Sequence, residues 1–190
     1  YIGNRALSAP INIHCDHSDS MGGRDLGWIQ IYSENAQEVY DNTILAQKLA
    51  ETAKLPVMIM QDGFVTSHAL QEVNILDDKK VSSFIGNFKK DFPLLNVDKP
   101  VTYGPLQLQN YFFETKKQQA EAIKKSKSLY NQIGKSLSKL TKRQHGLLEE
   151  YKLKDATAAI VTLNSTAGTT KEVIDKLRAQ GKKVGLLKLK

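Results

Sequence analysis

The chain has 190 residues, 41% hydrophobic and 25% charged, with a formal net charge of +7. That composition is ordinary for a globular protein, and the length allows one or two domains that each bury a core. Apolar runs such as residues 55–60 and 184–187 are far shorter than the ~20 residues of a membrane-spanning helix, so no membrane contact is expected. No basic leader with an apolar stretch opens the sequence, so no secretory signal is expected. The chain begins Tyr1-Ile2-Gly3 without Met and is read as an excerpt of a longer protein. Cys15 is the only cysteine, which excludes an intramolecular disulfide and any Cys-x-x-Cys site for zinc or an iron–sulfur cluster. A reducing, cytoplasmic setting is the expectation.

The first 30 residues, dense in His, Asp, Gly and Pro, read as a long irregular loop. Residues 28–32 offer a short strand. Asn35 followed by Glu38 is an N-cap with a box-like partner. Behind it, Val39, Thr43, Ala46, Ala50 and Ala53 recur at helical spacing. Residues 56–60 form the apolar run of a buried parallel strand, and the polar stretch from Asp62 to His68 follows at once. A helix, a strand and then a polar loop are half of a doubly wound α/β domain, whose ligands gather beyond the carboxyl ends of the strands.

Residues 91–105 hold three of the five prolines and mark a domain boundary. A long amphipathic helix comes next, its seam running through Ile123, Ser126, Tyr130, Ile133, Leu137 and Leu140. Residues 116–143 carry eight lysines and one arginine against Glu121 alone, so this segment makes the protein basic. Such a run is usually a solvated face. A binding module for nucleic acid or an acidic protein is the other reading, but neither an aromatic platform nor an Arg fork accompanies the lysines, so no nucleic-acid partner is expected. The last third reads as a βαβ unit: strand at 158–163, small-residue turn at 164–169, helix at 170–180, Gly181 as cap, and strand at 184–189.

Three stretches resemble the alpha subunit of pyruvate:ferredoxin-type 2-oxoacid oxidoreductases. The most specific runs from Arg5-Ala-Leu-Ser-Ala-Pro through His14-Cys15-Asp16-His17-Ser18-Asp19 to Arg24-Asp25-Leu-Gly-Trp. The second is Asp62-Gly-Phe-Val-Thr-Ser67-His68, and the third covers residues 168–184. The resemblance implies an α/β fold. Residues 1–98 would be the carboxyl-terminal part of a doubly wound, pyrimidine-type thiamine-diphosphate domain. Residues 99–190 would hold a linker, the amphipathic helix and the start of a transketolase C-terminal-like domain.

It also implies part of an enzyme that oxidatively decarboxylates pyruvate to acetyl-CoA and carbon dioxide, reversibly, with coenzyme A as substrate and ferredoxin as acceptor. Beta, gamma and delta subunits, or equivalent domains, are the implied partners. Thiamine diphosphate with Mg2+ would be held mainly outside these residues, and the iron–sulfur clusters would lie in partner subunits, so no metal site and no activity of the fragment alone are expected. Relatives acting on 2-oxoglutarate, a branched 2-oxoacid or oxalate are the runner-up. Ala9-Pro10-Ile11-Asn12-Ile13, where relatives for longer substrates carry Gly-Pro-Ser-Thr-Gly, favours pyruvate.

Arg5 stands where the family's substrate-carboxylate arginine is found, and a guanidinium suits that task because its planar fork matches a carboxylate and stays charged. On residue type alone Arg5 reads first as an ordinary surface or interface ion-pair partner, and the resemblance reverses that order. Asp16, His17 and Asp19 have the chemistry of metal ligands or of loop bracing. With the family's metal in another subunit, bracing is the reading taken, and Asp16, His17, Ser18, Asp19, Arg24 and Asp25 become an active-site wall that meets a partner. Asp62, Ser67 and His68 flank a strand end, as ligand contacts or as a turn in which Thr66 or Ser67 caps a helix. Residues 164–169 can cradle a phosphate at a helix N-terminus, though such turns are common. No Cys-His-Asn or Cys-His-Asp arrangement supports Cys15 as a nucleophile.

Overall fold

A computed structural model describes residues 1–190. Its first sheet has three parallel strands, β1 (Ile2–Asn4), β2 (Ile29–Ser33) and β3 (Val57–Asp62), in the order β1-β3-β2. Asn4 pairs with Asp62 and Ser33 with Gln61, so three polar strand ends share one edge. β1 and a single helical turn, α1 (Ser18–Met21), lie inside the segment expected to be irregular. Three residues of strand carry no period to read, and β1 exists because β3 offers it a partner.

The first helix of substance, α2 (Ala36–Ala53), starts where the cap signal places it, with Asn35 Oδ1 accepting the Glu38 N–H at 2.9 Å. Its buried face differs from the expected stripe. Ile44, Leu45, Ala46 and Leu49 are buried, whereas Val39, Thr43, Ala50 and Ala53 are only half-buried. The larger side chains win the interior because they remove more apolar area from water. The helix then ends at Lys54 in a left-handed conformation.

A short helix that the apolar pattern does not announce, α3 (Asp78–Ile85), is capped by the Asp77 side chain. The long α4 (Gln109–Thr141) then packs along the seam read from the sequence: Ser126, Tyr130, Ile133 and Leu137 are buried. Tyr130, Ile133 and Leu137 join Ile31, Ile44, Leu45, Leu49 and Ile59 in one core, so α4 lies on the first sheet's helical layer. The guanidinium of Arg143, just beyond α4, fastens it with a two-pronged bond to Asp41 of α2 at 2.6 and 2.7 Å. The first ten residues of α4 are exposed, as are Lys116, Lys117, Lys124, Lys125, Lys127, Lys135 and Lys139.

The second sheet is separate and ordered β4-β6-β5, from β4 (Leu148–Tyr151), β5 (Ala158–Thr162) and β6 (Val184–Leu189). β5 and β6 run parallel around α5 (Thr166–Ala179), and β4 is antiparallel to β6. Ala167, Ile174 and Leu186 form its small core. α5 begins earlier than the expected residue 170, for a reason found at the site.

Two polar seams join the halves. One is built on Lys188, which is 1% exposed and reaches Glu34, Glu38 and Glu149 at 2.5, 2.7 and 3.2 Å. Lys171 adds pairs to Glu34 and Glu149 at 3.0 and 2.7 Å. The other seam is the strand-end cluster around Asp62.

Candidate functional site: a guanidinium-lined hollow above a buried polar cluster

At the carboxyl edge of the first sheet, Asn4, Ser33 and Asp62 are each almost fully buried. Such groups require partners, since a buried polar atom without one costs about 1–3 kcal/mol. They find them at the start of α1, in α2, where the Asn42 amide donates to the Ser33 hydroxyl at 3.0 Å, and in the turn that leads into α5. The Asn4 amide donates to Asp19 at 2.8 Å and to Ser20 at 3.0 Å. The other Asp19 oxygen accepts the Arg5 backbone N–H at 3.0 Å.

Asp62 accepts from four nitrogen and hydroxyl donors, with the Cys15 thiol as a further one. The Asn164 amide lies at 2.8 Å, His17 Nε2 and the Ser165 N–H at 3.0 Å, and the Ser165 hydroxyl closes the set. The two N–H groups of the Asn164 amide serve Asp62 and the side-chain Oδ1 of Asn4, which leaves His17 Nε2 to donate to Asp62. Burial raises the Asp62 carboxyl, but bonds from Cys15, Ser165 and His17 outweigh it, and the group sits below its ordinary value.

This arrangement explains the early start of α5. Asp62 places a carboxylate on the first turn of that helix, where the N-terminal dipole favours an anion. Asn164, in the left-handed conformation at φ 55°, turns the chain into it. The position read as a possible phosphate cradle is therefore taken by an internal carboxylate. Thr66 and Ser67 cap no helix: the Ser67 hydroxyl instead accepts the Phe64 N–H at 3.0 Å.

One residue beyond β1 and β3 the chain opens into a hollow of about 290 Å³ lined by Gly3, Arg5, Gly63, Phe64, Ser67 and His68. Gly63 is required here, because a Cβ would stand 2.7 Å from Arg5 Cγ and 2.8 Å from the Asn4 carbonyl oxygen. Arg5 is exposed and has no carboxylate partner in the chain, and no acidic side chain lines the hollow. The hollow is thus lined by a cation and no acid.

The sequence-read residues thus divide into three groups. Arg5, Ser67 and His68 meet at the hollow. His17 and Asp19, half-buried, and Asp62, buried, belong to the polar cluster at the strand ends. Asp16, Ser18, Arg24 and Asp25 stand apart on the surface. The Asp16 carboxylate braces the turn by accepting the Ser18 N–H at 2.6 Å, and Arg24 meets Asp25 at 3.3 Å in full solvent. The sequence does not mark Asn4 and Ser20, and it marks Asn164 and Ser165 only as part of a small-residue turn and not as partners of Asp62. No local motif marks these roles, because each residue serves the site through a contact far away in sequence.

Cys15, His17 and Asp62 bring one ligand atom each within 4.8 Å of the others. Both Asp62 oxygens are already engaged by donors, so the carboxylate has little left for a cation. The Cys15 thiol is pushed up to about 12, by burial first and then by Asp62, so it stays protonated.

The residues of the hollow do not fit thiamine diphosphate itself. An aminopyrimidine calls for a facing carboxyl group and a Mg2+-diphosphate for oxygen ligands, and the lining offers a guanidinium and an imidazole instead.

Residues 1–135 match the family described as pyruvate flavodoxin/ferredoxin oxidoreductase, thiamine diphosphate-binding, and residues 156–190 match pyruvate:ferredoxin oxidoreductase core domain II. Similar proteins include the pyruvate synthase subunit PorA of Thermotoga maritima, 48% identical over 98% of this chain and 48% of the relative. PorA of Methanocaldococcus jannaschii is 42% identical over 100% of this chain and 50% of its own length. The ketoisovalerate oxidoreductase subunit VorA of Pyrococcus horikoshii is 34% identical over 98% of this chain and 48% of its own. The chain thus spans about half the length of the relatives it matches. With an α/β fold of parallel strands and a matching pattern over residues 1–135, the chain belongs to the pyruvate flavodoxin/ferredoxin oxidoreductase, thiamine diphosphate-binding family.

Proposed function

We propose that this chain is the substrate-facing part of the alpha subunit of a pyruvate:ferredoxin oxidoreductase, and that Arg5 holds the carboxylate of pyruvate. The observation that carries the reading is the unpaired guanidinium of Arg5 in an acid-free hollow at the carboxyl edge of a parallel sheet. Identity of 48% and 42% to two pyruvate synthase subunits, against 34% to the ketoisovalerate relative, supports pyruvate over a branched 2-oxoacid.

In the reaction, pyruvate loses its carboxylate as carbon dioxide, the acetyl group passes to coenzyme A, and electrons leave to ferredoxin. This chain's part is to bind and orient. Arg5 takes both carboxylate oxygens and holds them until the bond to carbon dioxide breaks. The Asn4–Asp19–Asp62–Asn164 cluster beneath fixes the backbone from which Arg5 and Gly63 project. Mg2+, the oxygen ligands of the diphosphate and the iron–sulfur clusters belong, in this reading, to other subunits or segments of a cytoplasmic assembly. The division at about residue 98 remains part of the proposal, with α4 packed on the first sheet whichever unit it is counted in.

The test is steady-state pyruvate oxidation by the assembled enzyme carrying Arg5→Lys or Arg5→Ala. Arg5→Lys keeps charge but loses the fork, at a cost of roughly 1.5–3 kcal/mol or about one to two decades in kcat/KM. Arg5→Ala should lose more, with thiamine diphosphate content near normal. Unchanged efficiency in Arg5→Ala would overturn the assignment.

A further inference from the structure

The loop after β3 contains a second donor that the carboxylate reading does not use. Three observations fix it. Phe64 is a non-glycine residue in the left-handed conformation at φ 63°, a backbone strain that a loop keeps only where its surroundings hold it. Its ring stacks on the imidazole of His68 at 4.3 Å with the planes 12° apart. Its N–H donates to the Ser67 hydroxyl at 3.0 Å, and that hydroxyl meets His68 Nδ1 at 2.7 Å.

In one arrangement of this relay the Ser67 hydroxyl donates to the imidazole. The Ser67 oxygen already accepts from Phe64, so its own proton is free to go to His68 Nδ1. An imidazole that accepts at Nδ1 carries its proton on Nε2. Nε2 makes no hydrogen bond within the chain, and His68 lines the same hollow as Arg5. In that arrangement the hollow offers a charged fork and one oriented N–H at Nε2, with the ring held by stacking on one face and by a hydroxyl at one edge.

We propose that His68 is a second substrate-contacting residue, its Nε2–H donating to the anionic end of a small 2-oxo carboxylate held by Arg5. The proposal rests on the reading of the hollow as the 2-oxoacid site. A donor that contacts substrate and transition state alike acts on KM and leaves kcat nearly unchanged.

Glutamine and asparagine separate this role from a structural one. A Gln amide nitrogen reaches about as far as Nε2, whereas an Asn amide nitrogen reaches only about as far as Nδ1. The experiment is steady-state kinetics of the assembled enzyme with pyruvate for His68→Ala, His68→Asn, His68→Gln and Ser67→Ala, with Arg5→Ala alongside. Loss of a hydrogen bond to a charged acceptor should raise KM about 10- to 100-fold in His68→Ala and His68→Asn, with kcat within about threefold. His68→Gln should stay within a few-fold of the parent. Ser67→Ala, which frees Nδ1 to compete for the proton, should fall between. If His68→Ala fails to assemble, the Gln and Asn pair decides the matter alone. An unchanged KM in His68→Ala or His68→Asn, or equal losses in Gln and Asn with less bound thiamine diphosphate, would overturn the proposal. If Arg5→Ala also left KM unchanged, the reading of the hollow itself would fall; a raised KM in Arg5→Ala alone would remove only His68.

Discussion

The carboxylate of Asp62, at the end of β3, accepts the backbone N–H of Ser165 at 3.0 Å and so caps the first turn of α5. One side chain thereby ties the strand ends of the first sheet to the helix of the second. It lies one residue from Gly63, where the hollow begins. The order of the hollow and the docking of α5 are coupled through it.

Asp62→Asn should loosen that joint. The amide keeps the shape but puts N–H groups where two of the four donors now point, and bonds to a charged acceptor are worth about 1.5–3 kcal/mol. Hydrogen exchange should speed up in the first turn of α5 while the amides of α2 keep their protection. Equal loss of protection in both helices would show that Asp62 supports the whole fold and not the joint.

The packed half of α4 can be separated from the open half. Leu137 is fully buried among Ile31, Leu45 and Leu49, so Leu137→Ala should cost about 2.7–5 kcal/mol through lost burial and a cavity. Phe113 is 72% exposed, and Phe113→Ala should change stability by less than about 0.5 kcal/mol. Urea midpoints of the two variants test the contrast, which fails if Phe113→Ala is the more damaging.

The sequence made those elements legible where a period was long enough to count. The seam of α4 from Ile123 to Leu140, the Asn35 cap and the β5–α5–β6 unit all rest on such local signals. β1 and the buried role of Asn4 were not legible, because three residues hold no pattern and their reason is pairing with β3, far along the chain. Half of the candidate site follows the same rule. Arg5, Ser67 and His68 stood out by type and motif, whereas Asn164 and Ser165 matter only because folding brings them to Asp62. Lys188 looked like one more lysine in a strand, and nothing local says that it is buried among three glutamates.

Lys188→Met should be among the most damaging single changes. Its removal leaves Glu34 and Glu38 largely buried with one fewer cation, and breaking such a pair costs about 3–5 kcal/mol. For a chain of this length the melting temperature should fall by roughly 6–20 °C. Adding Glu34→Gln to the variant should recover part of the loss. A double variant less stable than the single one would show that Glu34 has other work than pairing Lys188.

The same seam sets an acid limit. Burial raises the Glu149 carboxyl, but Lys171, Lys188 and Lys190 outweigh it and bring the group from 4.5 to about 2. A carboxyl depressed in the folded state adds stability that is full above its ordinary value and is lost as pH falls through the folded one. Denaturant midpoints should therefore decline between pH 4.5 and about 2, and Glu149→Gln should flatten that part of the profile. An unchanged slope in the variant would assign the decline to other carboxylates.

Cys15 gives the last test, because its chemistry reports on Asp62. The residue is exposed, yet burial of the thiol and then the neighbouring Asp62 carboxylate push it up to about 12. Only the thiolate alkylates, and a free cysteine near pKa 8.5 is partly ionised at pH 8. Iodoacetamide should therefore modify Cys15 at least about 100-fold more slowly than a free thiol at that pH. Asp62→Asn removes the charge and should speed the reaction, although burial, the larger cause, keeps it below the free-thiol rate. Labelling followed by intact mass against time reads both rates. Fast labelling of the parent chain would mean that the thiol does not face Asp62, and equal rates in parent and Asp62→Asn would leave burial as the whole cause.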